Sequence, residues 1–216
     1  MKKMNVLLIA NGEIKDYEYT KRFVSEYDAV YCCDGGIKHC EQLGLFPNVI
    51  VGDFDSSLES SFDKYIKTGA EIFKFPSEKD FSDTELGLIK AVEDGATNIT
   101  ILGGLGKRFD HALANAHILM YALENRVTAR LVDEHSEIVL INKEISINGK
   151  PGDIISLIPL TTEVVDVTIT GVKYPLSNKT LKAGSGISFS ISNVIVNKTA
   201  NISLSSGLLF VILARD

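Results

Sequence analysis

At 216 residues the chain is long enough to bury a sizeable core, as one large domain or two small ones. It is 45% hydrophobic and 23% charged, an ordinary balance for a soluble globular protein, and its 22 Lys and Arg against 28 Asp and Glu leave a net charge of −6. With that acidic balance and no Lys/Arg run, the composition argues against a nucleic-acid footprint and against attachment to anionic membranes. The cysteines are Cys32, Cys33 and Cys40, an odd and sparse set without paired spacing, so neither a disulfide framework nor a zinc site is expected. Cys32 and Cys33 end an apolar run and read as buried free thiols. The opening MKKMNVLLIANGE is too short for a membrane span and reads as a first strand, not a signal peptide; a cytoplasmic enzyme is the expectation.

In chain order, apolar β-branched runs alternate with helix-like periodicity as far as about residue 133. The predicted strands are Asn5–Ala10, Ala29–Cys33, Val49–Val51, Glu71–Phe75, Ile99–Leu102 and Ala129–Val132. The predicted helices lie near Tyr17–Glu26, Ile37–Leu43, Ser60–Thr68, Asp83–Glu93 and Asp110–Asn125, with Ser82 as N-cap and Glu85 in capping-box spacing. Such alternation predicts an α/β unit, a mostly parallel sheet flanked by helices. Beyond Val132 long helical periodicity stops. Short β-rich runs follow at Ile138–Ile141, Ile145–Ile147, Asp153–Ile158, Val164–Ile169, Gly186–Ile191, Val194–Val196, Asn201–Leu204 and Leu208–Leu213, punctuated by Asn148-Gly149, Ser185-Gly186 and Ser206-Gly207. This half reads as an antiparallel β-sandwich or barrel, giving expected domains 1–134 and 135–216.

In an open parallel sheet, ligands bind beyond the carboxyl ends of the strands. Acidic or glycine-rich sequence follows several of the predicted strands there: Asp34-Gly35-Gly36, Gly52-Asp53-Phe54-Asp55-Ser56, Ser77-Glu78-Lys79-Asp80-Phe81-Ser82-Asp83 and Gly103-Gly104-Leu105-Gly106-Lys107-Arg108-Phe109-Asp110-His111. Asp53 and Asp55 are one residue apart, so in an extended segment their carboxylates point the same way and repel unless a cation lies between them. Magnesium suits hard oxygen ligands shared with phosphates, and Asp80 and Asp83 stand on a neighbouring loop. An isolated Asp-x-Asp is more often a solvated turn; the accompanying strand and acidic loop favour metal here. The glycines at 103–106 allow backbone N–H groups to approach phosphate oxygens in front of a helix, and Lys107 and Arg108 add positive charge. The loop matches neither a Walker A sequence nor a dinucleotide GxGxxG. His111 reads either as a catalytic base or as a group orienting Arg108 and Asp110, and His117, six residues on, as structural. His39 and His135 have no motif around them and are expected at the surface.

The ordered series Asp34-Gly35-Gly36, Pro47…Gly52-Asp53-Phe54-Asp55-Ser56, Lys79-Asp80-Phe81-Ser82-Asp83, Gly103-Gly104…Gly106-Lys107-Arg108-Phe109-Asp110-His111 and Ser190-Ile191-Ser192-Asn193 resembles the thiamine pyrophosphokinase family. The resemblance spans both halves of the chain. It implies a homodimer in which ATP and thiamine bind between the N-terminal domain of one subunit and the C-terminal domain of the other. It further implies magnesium on Asp53, Asp55 and Asp83 with Asp80 beside them. Asp34, Arg108 and Asp110 would contact the nucleotide or its phosphates, among the ATP-binding group that also includes Gly35, Ser56, Lys79, Gly104, Lys107 and His111. Ser190, Ser192 and Asn193 would lie by the aminopyrimidine of thiamine, where hydroxyl and amide groups match its ring nitrogens. Ser82 replaces a frequent Thr, and the chain has no Trp to stack on thiamine. The implied reaction is diphosphate transfer from ATP to the thiamine hydroxyethyl group, with Asp53, Asp55, Asp80, Asp83 and Arg108 in the catalytic set and Asp80 or Asp55 as proton acceptor. Three other readings of the same residues stay open: a metal-dependent phosphohydrolase, a non-catalytic nucleotide- or thiamine-binding regulator, and a transferase acting on another alcohol.

Overall fold

A computed structural model describes residues 3–25, 27–52, 64–67, 69–75, 80–186 and 190–215. The chain divides into two compact units, residues 1–134 and 135–216. The first unit is built from β1 (Asn5–Ile9), α1 (Tyr17–Thr20), β2 (Ala29–Cys33), α2 (Ile37–Leu43), β3 (Val49–Gly52), β4 (Glu71–Lys74), α3 (Asp83–Glu93), β5 (Asn98–Leu102), α4 (Phe109–Glu124) and β6 (Thr128–Val132). Its strands are all parallel, in the order β6-β5-β1-β2-β3-β4. The chain therefore winds outward from β1 in one direction as far as β4, then returns with β5 to the other side of β1. That reversal makes the ends of β1 and β5 a topological switch point, where a crevice opens between loops that diverge.

The centre of the sheet is fully apolar, as a strand covered on both faces must be. Val6, Leu7, Leu8 and Ile9 are all fully buried, each stabilising the fold by about 1.5–3 kcal/mol over an exposed position. On one side Leu7, Ile9, Cys32 and Ile50 pack with Ile37 and Cys40 of α2. Helix α3 packs on β1, β2 and β3 and against α4. Its start is set by Ser82, whose Oγ accepts from the Glu85 N–H at 3.2 Å, and Asp83 and Glu85 complement the dipole in its first turn. Cys32 and Cys33 are buried, as expected, and so is Cys40.

The second unit contains β7 (Ser136–Ile141), β8 (Glu144–Asn148), β9 (Ile154–Pro159), β10 (Glu163–Thr170), β11 (Leu176–Lys182), β12 (Asn193–Val194), β13 (Thr199–Ser203) and β14 (Leu209–Ala214). They pair antiparallel in two sets, β12-β9-β14-β7 and β11-β10-β13-β8. Inward residues of both, among them Val139, Leu157 and Val211 from one and Val164, Ile169 and Ile202 from the other, form a single core. This is a β-sandwich. The expected fold class, parallel α/β followed by antiparallel β, is the one observed.

Several elements differ from expectation. The predicted Tyr17–Glu26 helix is α-helical only through Thr20 and continues as a 3-10 turn, Lys21–Phe23. Tyr19, Phe23 and Val24 must all reach the same core, and the tighter winding brings them there. Strand β11 was not anticipated because, of its seven residues, only Leu181 is buried, so LSNKTLK has no alternation to read. It is a polar edge strand paired to β10 across two register shifts, with Asp166 and Asn178 in the left-handed region. The predicted Gly186–Ile191 strand is not formed by Ser190 and Ile191, which lie in a turn before β12, while residues 187–189 lie outside the described residues. Of the predicted Ser60–Thr68 helix only 64–67 is described, and it is helical.

One charge sits deep in the first unit. Lys90 is 9% exposed, and its Nζ lies 2.6 Å from both carboxylate oxygens of Asp94, which also accepts from the Tyr31 hydroxyl. Burial alone would raise the Asp94 carboxyl, but the Lys90 and Tyr31 hydrogen bonds outweigh it and hold the carboxyl below its ordinary range. Replacing Asp94 by Asn should lower unfolding free energy in urea titrations by about 1–3 kcal/mol at neutral pH. Because the folded carboxyl titrates below the unfolded one, the difference from the parent should persist above about pH 4 and shrink as pH falls further.

Candidate active site

The loops after β1 and β5 are locked together at the switch point. The Ala10 N–H donates to the Leu102 carbonyl at 2.8 Å and the Gly12 N–H to the Gly103 carbonyl at 2.9 Å. The approach is too close for side chains. A Cβ on Gly12 would lie 2.3 Å from the Gly103 oxygen, and Gly103 itself has φ +67°, with its Cβ position 2.6 Å from the Ala10 oxygen. From the other side Asn115 of α4, itself buried, donates from Nδ2 to the Gly104 carbonyl at 2.8 Å.

Around this lock lies a cleft of about 560 Å³, lined by Ala10–Glu13, Cys33, Phe81–Thr84, the glycine loop through Lys107 and Arg108, and His111 and Asn115 of α4. Its size is in the range of small-molecule sites. Of the residues singled out from sequence, Asp83, Gly104, Lys107, Arg108 and His111 line it. Asp80 is exposed just before the Phe81–Thr84 wall. Gly35 packs on Asn11, its Cβ position 2.6 Å from Asn11 Oδ1. Asp34 follows β2 with φ +40°, an uncommon conformation for a non-glycine residue and of the kind that concentrates at ligand sites. Asp53, Asp55, Ser56 and Lys79 lie outside the described residues.

The cations beside the cleft are held in weak, exposed pairs. Lys107 Nζ is 3.0 Å from Glu13 Oε1. Arg108 makes a two-point contact with Asp110, Nε to Oδ1 at 3.1 Å and Nη2 to Oδ2 at 2.5 Å. The Arg108 hydrogen bond brings the Asp110 carboxyl down to about 2. Exposed pairs of this sort are screened by solvent and contribute little, so an incoming anion can compete for the same cations at small cost. The N-terminus of α4 adds its dipole next to the glycine loop.

Sequence reasoning missed Asn11, Gly12, Glu13, Thr84 and Asn115. For the first three the signal was present, since Asn11-Gly12-Glu13 also follows a strand of the parallel sheet. Asn115 is mid-helix and showed none. His39, expected at the surface, is 2% exposed, whereas His135 is exposed. His117 is exposed on α4 with its ring bonded to the Leu113 carbonyl, in keeping with a structural role.

In the second unit, the buried Asn193 joins two segments: its Oδ1 accepts from the Tyr174 and Val194 N–H groups and its Nδ2 donates to the Tyr174 carbonyl at 2.6 Å. Ser192, at φ +54°, donates its N–H to Ser156 Oγ, and the carbonyl of the buried Ser190 accepts from Leu157. The tetrapeptide is thus a strained, firmly anchored corner.

Two family models match the chain in succession: "Thiamin pyrophosphokinase, catalytic domain" over residues 20–131 and "Thiamin pyrophosphokinase, vitamin B1 binding domain" over residues 141–209. The chain belongs to the thiamin pyrophosphokinase family. It is accordingly an enzyme, a thiamine diphosphokinase that makes thiamine diphosphate and AMP from thiamine and ATP. Among its relatives, thiamine pyrophosphokinase of Bacillus subtilis (strain 168) is 29% identical over the whole length of both chains. Thiamine pyrophosphokinase 1 of Oryza sativa subsp. japonica is 32% identical, over 79% of this chain and 67% of its own. The crystal structure of the Bacillus subtilis enzyme superposes with a TM-score of 0.84 at 27% identity, covering 98% of this chain and 99% of that one. The Gly12–Gly103 lock begins upstream of the first matched segment, so part of the cleft wall lies outside what that model describes. No helix among the described residues is long and apolar enough to cross a membrane.

If ATP occupies this cleft, Gly12→Ala should raise the KM for ATP by about tenfold or more, since the added methyl must displace the Gly103 carbonyl, while circular dichroism shows a folded protein.

Proposed function

We propose that ATP binds in this cleft with its polyphosphate over the glycine loop, and that the thiamine hydroxyethyl oxygen attacks the β-phosphorus in line. The new O–P bond forms as the bond from the β-phosphorus to the α,β-bridging oxygen breaks, AMP departs with that oxygen, and the hydroxyl proton passes to Asp80 or Asp55. The observation that carries the reading is the convergence, at one switch point, of Asp83, the glycine loop and the loosely paired Lys107 and Arg108.

Lys107 and Arg108 turn from Glu13 and Asp110 to the phosphates, and Lys79 adds further positive charge. Asp34 and Asp110 contact the nucleotide or order the groups that do, with Gly35, Ser56, Gly104 and His111 completing its surroundings. Among the described residues no group of three or more His, Cys, Asp or Glu is assembled for a metal. Asp83 supplies a hard carboxylate at the cleft, a fitting donor for magnesium, and Asp53 and Asp55 would complete the set. Bound magnesium would offset the charge that builds on the phosphate oxygens. The anchored corner Ser190–Asn193 offers hydroxyl and amide groups to the aminopyrimidine. Asn193 serves largely by holding that corner, because its amide oxygen already accepts two backbone hydrogen bonds.

In this reading residues 1–134 bind ATP and metal, and residues 135–216 bind thiamine and form a homodimer whose active sites are shared between subunits. The protein acts in the cytoplasm.

Incubation with ATP, magnesium and thiamine should yield AMP and thiamine diphosphate in equal amounts, with neither formed when magnesium is chelated. AMP or phosphate released without thiamine would instead indicate a hydrolase. Asp83→Ala should reduce kcat by about a hundredfold or more, and Arg108→Ala should lower kcat/KM by a similar factor; near-parental turnover in Asp83→Ala would remove it from the metal site.

A further inference from the structure

We propose that His39, a buried histidine outside every motif, is a positioning residue for ATP: together with Tyr17 it holds the Gly12 carbonyl, and through Gly12 the glycine loop, in the conformation that receives the polyphosphate. The proposal rests on the cleft being the ATP site.

His39 sits in α2 among Ile37, Cys40 and Leu43, all buried, where an apolar side chain would pack at no electrostatic cost. An imidazole at 2% exposure is tolerated only if its nitrogens find partners. Both do, and one of the partners, Gly12, lines the cleft. Nε2 is 2.7 Å from the Gly12 carbonyl oxygen, which can only accept, so Nε2 carries a hydrogen. Nδ1 is 2.6 Å from the Tyr17 hydroxyl. Burial lowers the tendency of the ring to protonate, so the neutral tautomer with Nδ1 as acceptor is favoured and Tyr17 donates.

The bonds then run in one direction. Tyr17 O–H donates to His39 Nδ1, His39 Nε2–H to the Gly12 carbonyl, and Gly12 N–H to the Gly103 carbonyl at 2.9 Å. The Tyr17 hydroxyl polarises the imidazole to which it donates and strengthens the Nε2–H bond to the Gly12 carbonyl. That bond fixes the peptide on one side of the Gly12 Cα, while the Gly103 bond fixes the peptide on the other. The adjacent Lys38 holds the preceding residue, donating to Asn11 O at 3.0 Å and Asn11 Oδ1 at 2.7 Å. Two neighbouring residues of one short helix thereby fix both peptides of the cleft wall. Gly12 has no side chain through which it could be held, so its carbonyl is the available handle. A histidine satisfied only for packing would have no reason to bond a residue that interlocks with the glycine loop.

The test is steady-state kinetics of His39→Leu, His39→Gln and Tyr17→Phe, with melting temperatures measured in parallel and Arg108→Ala as a control for the cleft. His39→Leu should raise the KM for ATP about tenfold, equivalent to about 1.4 kcal/mol, with the KM for thiamine changed less than about twofold. His39→Gln, whose amide nitrogen can stand where Nε2 does, should return the KM for ATP to within about threefold of the parent. Tyr17→Phe, which removes a single hydroxyl, should raise it about threefold. Parental ATP KM in a folded His39→Leu, an equal rise for both substrates, or Gln behaving like Leu would overturn the proposal. Should His39→Leu fail to fold, Tyr17→Phe decides, and an unchanged ATP KM there rejects the role. An unchanged ATP KM in Arg108→Ala would instead reject the cleft as the ATP site.

Discussion

The first unit depends on the backbone contact between the loops after β1 and β5. Parallel strands that part company at a switch point leave a crevice, but a crevice between two free loops has no fixed shape. Here the Gly12 N–H and the Gly103 carbonyl close it from within, at a separation that only glycine allows on either side. Asn115 and His39, both buried residues, each add a directional bond to that same pair of loops, from α4 and α2 respectively. Because β1 and β5 are buried and paired in parallel along their full length, the position of the loops relative to the sheet follows from the register the two strands share. The wall of the cleft is thereby built from backbone whose hydrogen bonds already fix its position.

Electrostatics adds what the backbone cannot. Lys107 and Arg108 stand in solvent, each beside a carboxylate a short way off in the fold. Fully buried, such pairs would resist separation; exposed, they are worth so little that phosphate exchanges readily for carboxylate. Two exposed cations thus stand at the glycine loop of a protein whose net charge is −6. The buried charge of the unit, Lys90 with Asp94 and Tyr31, behaves oppositely: its partners saturate it, and it contributes to stability instead of to ligand exchange.

The sandwich of the second unit follows another logic. Its core comes from alternating strands, while the corner at Ser190–Asn193 is held by an amide clamped on Tyr174 and a left-handed Ser192. Strain of that kind persists only where surrounding bonds over-determine it, and the corner falls within the segment matched to the vitamin B1 binding domain.

What the sequence by itself determined was the pattern that periodicity and turn chemistry encode: the change from α/β to β near residue 133, helices Ile37–Leu43 and Asp83–Glu93 to the residue, the glycine loop and its cations, and through the ordered motifs the family. These are local signals, or motifs that carry their own spacing. Strand β11 was illegible because an exposed edge strand buries almost nothing and shows no alternation. Only the tertiary structure decided that Asn11–Glu13 belongs to the cleft, that Asn115 reaches back to Gly104, and that His39 is buried and bonded to Gly12. The physical reason is common to all three. Each is a hydrogen bond or contact between residues 11 to 91 positions apart, set by how helices and strands pack rather than by any local composition.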